Sequence, residues 1–211
     1  MDRIKTKIHQ LIEFGESETM DFKQSVNDAA KIAKTIAAFA NGKGGVLLVG
    51  VKDNGNISGV NTEEEWYMLD MAAKMYCRPT VELRKREWVI EGKGVLECIV
   101  DQGKQGPYYA LGDDQKWWVY QRVNDKTLLA GHIGVEVMKR ASSTHGSLIE
   151  YNDAERSLFA YLSTEGEITL KGFQKLARIN RWKASRILIN LISAGVVVYN
   201  RSEKEEYFTL N

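Results

Sequence analysis

The run Gly45-Val-Leu-Leu-Val-Gly-Val-Lys52 constrains this chain more than any other stretch. Its valines and leucines leave no polar face, so it reads as a central strand covered on both sides rather than as a half-exposed one. It is also far shorter than the roughly 18 apolar residues that a membrane span requires, as is Ile187 to Ile192, so no membrane partner is expected. Around it the periodicity keeps changing. Ile4, Ile8, Leu11 and Ile12 recur at helical spacing before Gly15, and Thr19 to Gln24 follows as a short strand. Asn27 is placed to cap a second helix, with Ile32, Ile36 and Phe39 inward and Asn41-Gly42 as its stop. Asp53 to Asn56 is a turn, and Thr62 with three glutamates opens a third helix that ends before Pro79. Val81 to Ile90 and Val95 to Gln102 read as a hairpin, Trp117 to Val123 as a strand, and Ile133 to Lys139 as a helix closing the domain. The order α-β-α-β-α-β-β-β-α predicts an α+β fold with a mixed sheet, not a βαβ array.

Composition narrows the class. With 44% hydrophobic and 27% charged residues the chain is neither disordered nor a membrane protein. Its 211 residues allow one large domain or two smaller ones. Ala141-Ser-Ser-Thr-His-Gly-Ser147 is small, polar and aperiodic, which predicts a first domain over 1–141, a linker over 142–150 and a second domain over 151–211. Two cysteines, Cys77 and Cys98, give neither a disulfide framework nor zinc-ligand spacing. The charged N-terminal segment lacks an apolar signal core, so a cytoplasmic protein is expected. With 29 basic against 28 acidic residues, the chain cannot coat nucleic acid by bulk charge, and any such binding must be local.

The second domain supplies a local charge. Helices are expected over Asp153 to Leu162, Leu170 to Ala177 and Arg181 to Ser193, followed by a hairpin of Val196 to Tyr199 with Tyr207 to Leu210. Leu170, Phe173, Leu176 and Ala177 mark one inner face; Ile187, Leu188, Leu191 and Ile192 mark the next. This pattern resembles a winged helix-turn-helix. Lys171, Lys175, Arg178, Arg181, Lys183 and Arg186 fall on its helix pair without an intervening acid. In such folds that pair faces the duplex, which makes Lys175, Arg178, Arg181, Lys183, Arg186 and Asn190 the expected nucleic-acid-binding residues, some holding phosphates and Arg or Asn reading base edges. A solvated face on a protein-contact module is the alternative, favoured by acidic Glu203, Glu205 and Glu206 in the wing. Trp182 is expected in the core.

Three further segments are Gly15-Glu-Ser-Glu-Thr-Met-Asp-Phe-Lys23, Thr35-Ile-Ala-Ala-Phe-Ala-Asn-Gly-Lys-Gly-Gly45, and Val46 to Asp53 with Ile57-Ser-Gly59 behind it. In this order, and with Gln105-Gly-Pro-Tyr-Tyr109 and Trp118-Val-Tyr-Gln-Arg122 after them, they resemble the AlbA-like domain of the Schlafen family over most of residues 10 to 125. The resemblance implies an AlbA-like mixed sheet followed by a small winged-helix domain, as in bacterial relatives described as transcriptional regulators. It also implies a chemistry. Schlafens that cleave RNA use three carboxylates, whose places are held here by Glu16, Asp21 and Asp53, with Lys23 beside them. Three converging carboxylates would hold Mg²⁺ or Mn²⁺, activate water and neutralise a scissile phosphate, with Lys23 on another oxygen. Asp21 stands where the family usually has Glu, one methylene shorter. The plainer reading is that Glu16 caps or pairs locally while Asp21 and Asp53 end strands at turns.

Asn41, Gly42, Lys43, Gly44 and Gly45 are the candidate cofactor residues. The amides of Gly42, Gly44 and Gly45 can form an anion nest for a nucleic-acid phosphate, or the glycines can simply make a tight turn. A P-loop runs from strand to helix, whereas this segment runs from helix to strand, so ATP is not expected. Tyr108, Tyr109, Trp117 and Trp118 can stack on bases or pack inward, and none of the three histidines has a catalytic partner at recognisable spacing. The expectation is therefore a DNA-binding regulator, with RNA as a possible ligand of the AlbA-like domain and a homodimer as the usual state of such regulators. The alternatives are a metal-dependent endoribonuclease acting on tRNA or structured RNA, and an ATP-binding regulatory module.

Overall fold

The computed structural model describes residues 7–141 and 152–211; the expected linker, with His145, lies outside them, as does Ile4. The chain divides into two compact units, the first ending at Leu129 and the second beginning at Ala130.

The first unit contains, in order, α1 (Lys7–Phe14), β1 (Met20–Lys23), α2 (Ala29–Asn41), β2 (Gly45–Val49), α3 (Thr62–Met75), β3 (Cys77–Arg78), β4 (Leu83–Ile90), β5 (Lys93–Val100), β6 (Tyr109–Leu111), β7 (Trp117–Val123) and β8 (Lys126–Leu129). It is a mixed α+β unit of two four-stranded sheets, ordered β1-β2-β5-β4 and β3-β6-β7-β8. β2 is central: it runs parallel to β1 and antiparallel to β5. The absence of a polar face has the expected cause. Leu47 and Val49 belong to a large core with α2, α3 and β5, whereas Leu48 joins Ile8, Met20, Phe22, Val51 and Val95 in a second core. Each buried Leu or Phe contributes about 1.5–3 kcal/mol. That alternation sets the chemistry of β1. Met20 and Phe22 lie in the second core, so Asp21, paired with Leu47, faces the first.

Caps explain the helix limits. Asp28, one residue beyond the expected Asn27, N-caps α2 through Lys31 N, and Asn61 rather than Thr62 caps α3 through Glu63 N. From within α3 the Glu65 side chain makes an unexpected long-range bond, accepting from Val26 N at 2.7 Å.

The second unit holds α4 (His132–Ala141), α5 (Asp153–Glu165), β9 (Glu167–Thr169), α6 (Leu170–Ala177), α7 (Arg181–Ser193), β10 (Val197–Arg201) and β11 (Glu206–Leu210), with sheet order β10-β11-β9. A capping box between Asn152 and Glu155 starts α5. The placement of α4 corrects the expectation that it closes the first domain. Ile133 is buried with Leu158, Phe173, Leu188 and Phe208, Val137 packs against that core, and Arg140 donates to Asn190 Oδ1 at 2.7 Å. The division therefore falls before α4 rather than at residue 141. Among the described residues, no helix is long and apolar enough to cross a membrane.

Candidate functional site: a neutralised carboxylate cluster and a basic helix pair

The three carboxylates expected to hold a metal are engaged separately. Asp21, only 4% exposed, meets two cations, one at each carboxylate oxygen. Arg122 Nη1 lies 3.2 Å from its Oδ1, and Lys23 Nζ lies 2.7 Å from its Oδ2. The second contact is a charge contact without a well-directed hydrogen bond; the ammonium also donates to the Phe22 carbonyl at 2.7 Å. Glu16 Oε1 accepts from the amide of Phe22 in β1 at 2.9 Å. Asp53 stands exposed in the turn after Val51. Burial raises the pKa of Glu16, as do the charges of Asp21 and Asp53, against the lowering effects of the Phe22 amide and Lys23. The carboxylates thus feel one another. Even so, among the described residues no three His, Cys, Asp or Glu side chains are grouped to hold a metal ion. A divalent ion at Asp21 would have to displace Lys23 and sit beside Arg122, so the donors as placed do not fit Mg²⁺ or Mn²⁺. The expected roles of Glu16, Asp21, Asp53 and Lys23 as a metal-dependent catalytic set are corrected accordingly.

Arg122 is the residue that sequence reasoning undervalued. Its Nη1 also donates to Thr127 Oγ1 at 3.1 Å, and its Nη2 donates to the carbonyls of Ser17 (2.8 Å) and Met20 (3.3 Å). The guanidinium lies 5.1 Å from the centroid of the Phe39 ring. It therefore ties β7 to β1 and to the turn before it. An arginine in the largely apolar run Trp117 to Val123 was the available signal, since a buried charge needs built partners.

The glycine segment is structural. Gly42 N donates to the carbonyls of Ala38 and Phe39, and Gly44 N donates to that of Phe39 at 3.0 Å, so neither amide is free for an anion. Gly44 has φ +77°, and a Cβ there would lie 2.7 Å from the Val100 carbonyl. A Cβ on Gly45 would lie 2.4 Å from the Phe39 ring. Asn41 is fully used: Nδ2 donates to the carbonyls of Tyr108 (2.8 Å) and Tyr120 (2.9 Å), and Oδ1 accepts from Tyr108 N at 2.7 Å. Only Lys43 is exposed, 3.2 Å from Glu18 at the rim of an open hollow of about 600 Å³. This corrects the anion-nest reading of Gly42 and Gly44 and the candidate cofactor role of Asn41.

The aromatics divide as well. Tyr108 is buried, Trp118 is half-exposed with Nε1 bonded to Asp114, and Arg78 stacks 4.1 Å from the Trp117 centroid. Cys77 and Cys98 are free and buried, their thiols pushed up to about 12 by desolvation.

In the second unit the cations do lie together. Arg178 ends α6 in the left-handed conformation (φ +54°), and Asn180 caps α7 by accepting from Lys183 N at 2.9 Å. That short turn fixes α6 against α7 over buried Phe173, Ala184, Ile187 and Leu188. Lys171, Lys175, Arg178, Arg181, Lys183 and Arg186 are all exposed, and no acidic residue lies between Glu167 and Glu203. Two expectations fail here. Asn190 is half-buried and bound by Arg140, so it is a brace to α4 rather than a base reader. Trp182 is not in the core; it is 69% exposed, with the Arg186 guanidinium 5.4 Å from its ring centroid. Glu206 is turned toward Tyr199, accepting from its hydroxyl at 2.7 Å, which leaves Glu203 and Glu205 exposed at the hairpin tip beside Lys204.

Comparison with known proteins bears on the first unit. None of the curated proteins matches the chain. Among solved structures it is similar to the DIP2311 protein of Corynebacterium diphtheriae, at 18% identity and a TM-score of 0.44, over 80% of this chain but only 33% of that one. It is also similar to the N-terminal domain of a RecG-related protein from Nitrosomonas europaea, at 19% identity and a TM-score of 0.43, over 61% of this chain and 97% of that one. The chain thus spans a third of the first protein's length. The model of the Schlafen AlbA_2 family matches residues 16–130, more than half of the 211 residues, and ends within one residue of the first unit. The chain belongs to the Schlafen AlbA_2 family.

Proposed function

We propose that this protein binds nucleic acid and acts as a DNA-binding transcriptional regulator, its second unit being a winged helix that engages the duplex through α6 and α7. One observation carries the reading: six exposed basic side chains on that helix pair, with no acid among them. The order α5-β9-α6-α7-β10-β11, with its three-stranded sheet, supports it. In such folds the N-terminal part of the second helix of the pair enters the major groove. Here that part is Arg181, Trp182 and Lys183, with Arg186 one turn on. Lys171, Lys175 and Arg178 then fall to the phosphates, which position the protein without reading sequence, and the long side chains of Arg181, Lys183 and Arg186 reach the phosphates that flank the groove. Exposed Glu203 and Glu205 oppose phosphate contact by the hairpin tip, so the helices rather than the wing carry the binding.

A metal-dependent cleavage reaction draws no support from Asp21, whose carboxylate is already flanked by Lys23 and Arg122. The test is fluorescence anisotropy at low salt, with labelled duplex DNA and folded tRNA as separate probes. Saturable binding to the duplex, stronger than to tRNA, is expected. No duplex binding, or stronger binding to tRNA, would overturn the proposal.

A further inference from the structure

We propose that Trp182 reads thymine in the major groove by packing its ring on the C5-methyl group, an inference that rests on duplex binding by α7. Trp182 is the second residue of α7 after its Asn180 cap. The core of the second unit closes without it: Ala184, Ile187, Leu188 and Leu191 turn inward, while the indole stays 69% exposed. Arg181 and Lys183 flank it in sequence and are exposed, and Arg186, one helical turn on, holds its guanidinium 5.4 Å from the ring centroid. The cation thus lies on one side of a ring that remains largely open to solvent. A large apolar surface among cations, at the end of the helix that would enter the groove, suits the one apolar group that the major groove offers, the thymine methyl. The same cations draw the phosphates on either side and bring the ring to the groove floor.

The experiment uses the full chain and duplexes selected by it from a random pool. Each selected duplex is compared with its copy carrying deoxyuridine for thymidine, which removes only the methyl. Wild type is expected to lose about fourfold in affinity per contacted methyl, with an unchanged dependence on salt. The Trp182→Ala variant, whose exposed site leaves the melting temperature unchanged, is expected to bind both duplexes equally and to keep the wild-type salt slope. If wild type binds duplexes but ignores the methyl, or if Trp182→Ala still distinguishes the two, the assignment to Trp182 is overturned while duplex binding stands. Preference of wild type for single-stranded DNA that is lost in Trp182→Ala would also overturn it, by making the ring a stacking platform. Should wild type bind no duplex, the functional reading fails and this assignment with it.

Discussion

Replacing Arg122 by Met isolates what the internal cations do for the carboxylate cluster. The guanidinium holds Asp21 Oδ1 at 3.2 Å, Thr127 Oγ1 at 3.1 Å and the carbonyls of Ser17 and Met20 at 2.8 and 3.3 Å, all with a side chain 4% exposed. Methionine fills the space of the aliphatic stem, so the cavity term is small and the electrostatic loss dominates. Removing one partner of a buried ion pair costs about 3–5 kcal/mol. Lys23 stays 2.7 Å from Asp21 Oδ2 and keeps the remaining charge partly neutralised, which places the loss near the lower figure, about 3 kcal/mol. With a urea m-value of about 2 kcal/mol/M, the unfolding midpoint of the first unit falls by about 1.5 M. Tryptophan fluorescence reports on that unit through Trp66, Trp88, Trp117 and Trp118. The Asp21→Asn variant and the double variant complete a cycle. If the pair is the cause, the double variant is more stable than the sum of single losses predicts, by about 1–3 kcal/mol. A loss under about 0.5 kcal/mol for Arg122→Met, or strict additivity, would refute the argument.

Other outcomes follow from neighbouring groups. Because the folded-state pKa of Glu16 is raised, first by burial, its contribution to stability is complete below the ordinary glutamate value and is lost as pH rises through the folded value. Glu16→Gln should therefore melt higher than wild type at pH 7, with the gain vanishing in acid; an unchanged or lower melting temperature at pH 7 counts against carboxylate crowding. Asn41→Ala removes three hydrogen bonds to the backbone at Tyr108 and Tyr120 and should cost about 2–4 kcal/mol in urea unfolding, whereas a loss below 1 kcal/mol would show that it is no clamp. Cys77 and Cys98, with pKa values pushed up to about 12, hold almost no thiolate at pH 8. Ellman's reagent should label neither in the native protein and both after denaturation, and fast native labelling would contradict their burial.

The parts of the fold that depend on long patterns were legible in the sequence. β2 is covered on both faces because its run has no polar side, and the α6–α7 pair follows from inward residues at helical spacing. β3, β6, β8 and β9 have two to four residues each, too few to show a period, and were not foreseen. The boundary was misplaced because an aperiodic polar stretch marks a break in pattern, whereas Ile133 and Val137 side with whichever core offers apolar surface. At the site, residue types were visible but their partners were not. Asp21 points into the main core because of its register on β2, and only tertiary pairing brings Arg122 from 101 positions away. Asn41 read as a helix stop although its side chain spans to the carbonyls of Tyr108, just before β6, and of Tyr120 in β7. Trp182 was recoverable: it shares a helical face with Arg186, off the stripe of Ala184, Ile187, Leu188 and Leu191.

The central claim, duplex binding by the basic helix pair, is tested most directly by the salt dependence of DNA affinity in wild type and in the Arg181→Ala/Lys183→Ala/Arg186→Ala variant. Wild type, with up to six phosphate-reaching cations, should give a log–log slope of as much as about −5, and the variant should bind more weakly with a slope shallower by up to about 3. Equal affinity and slope in the two proteins, or no duplex binding by wild type at low salt, would contradict the account.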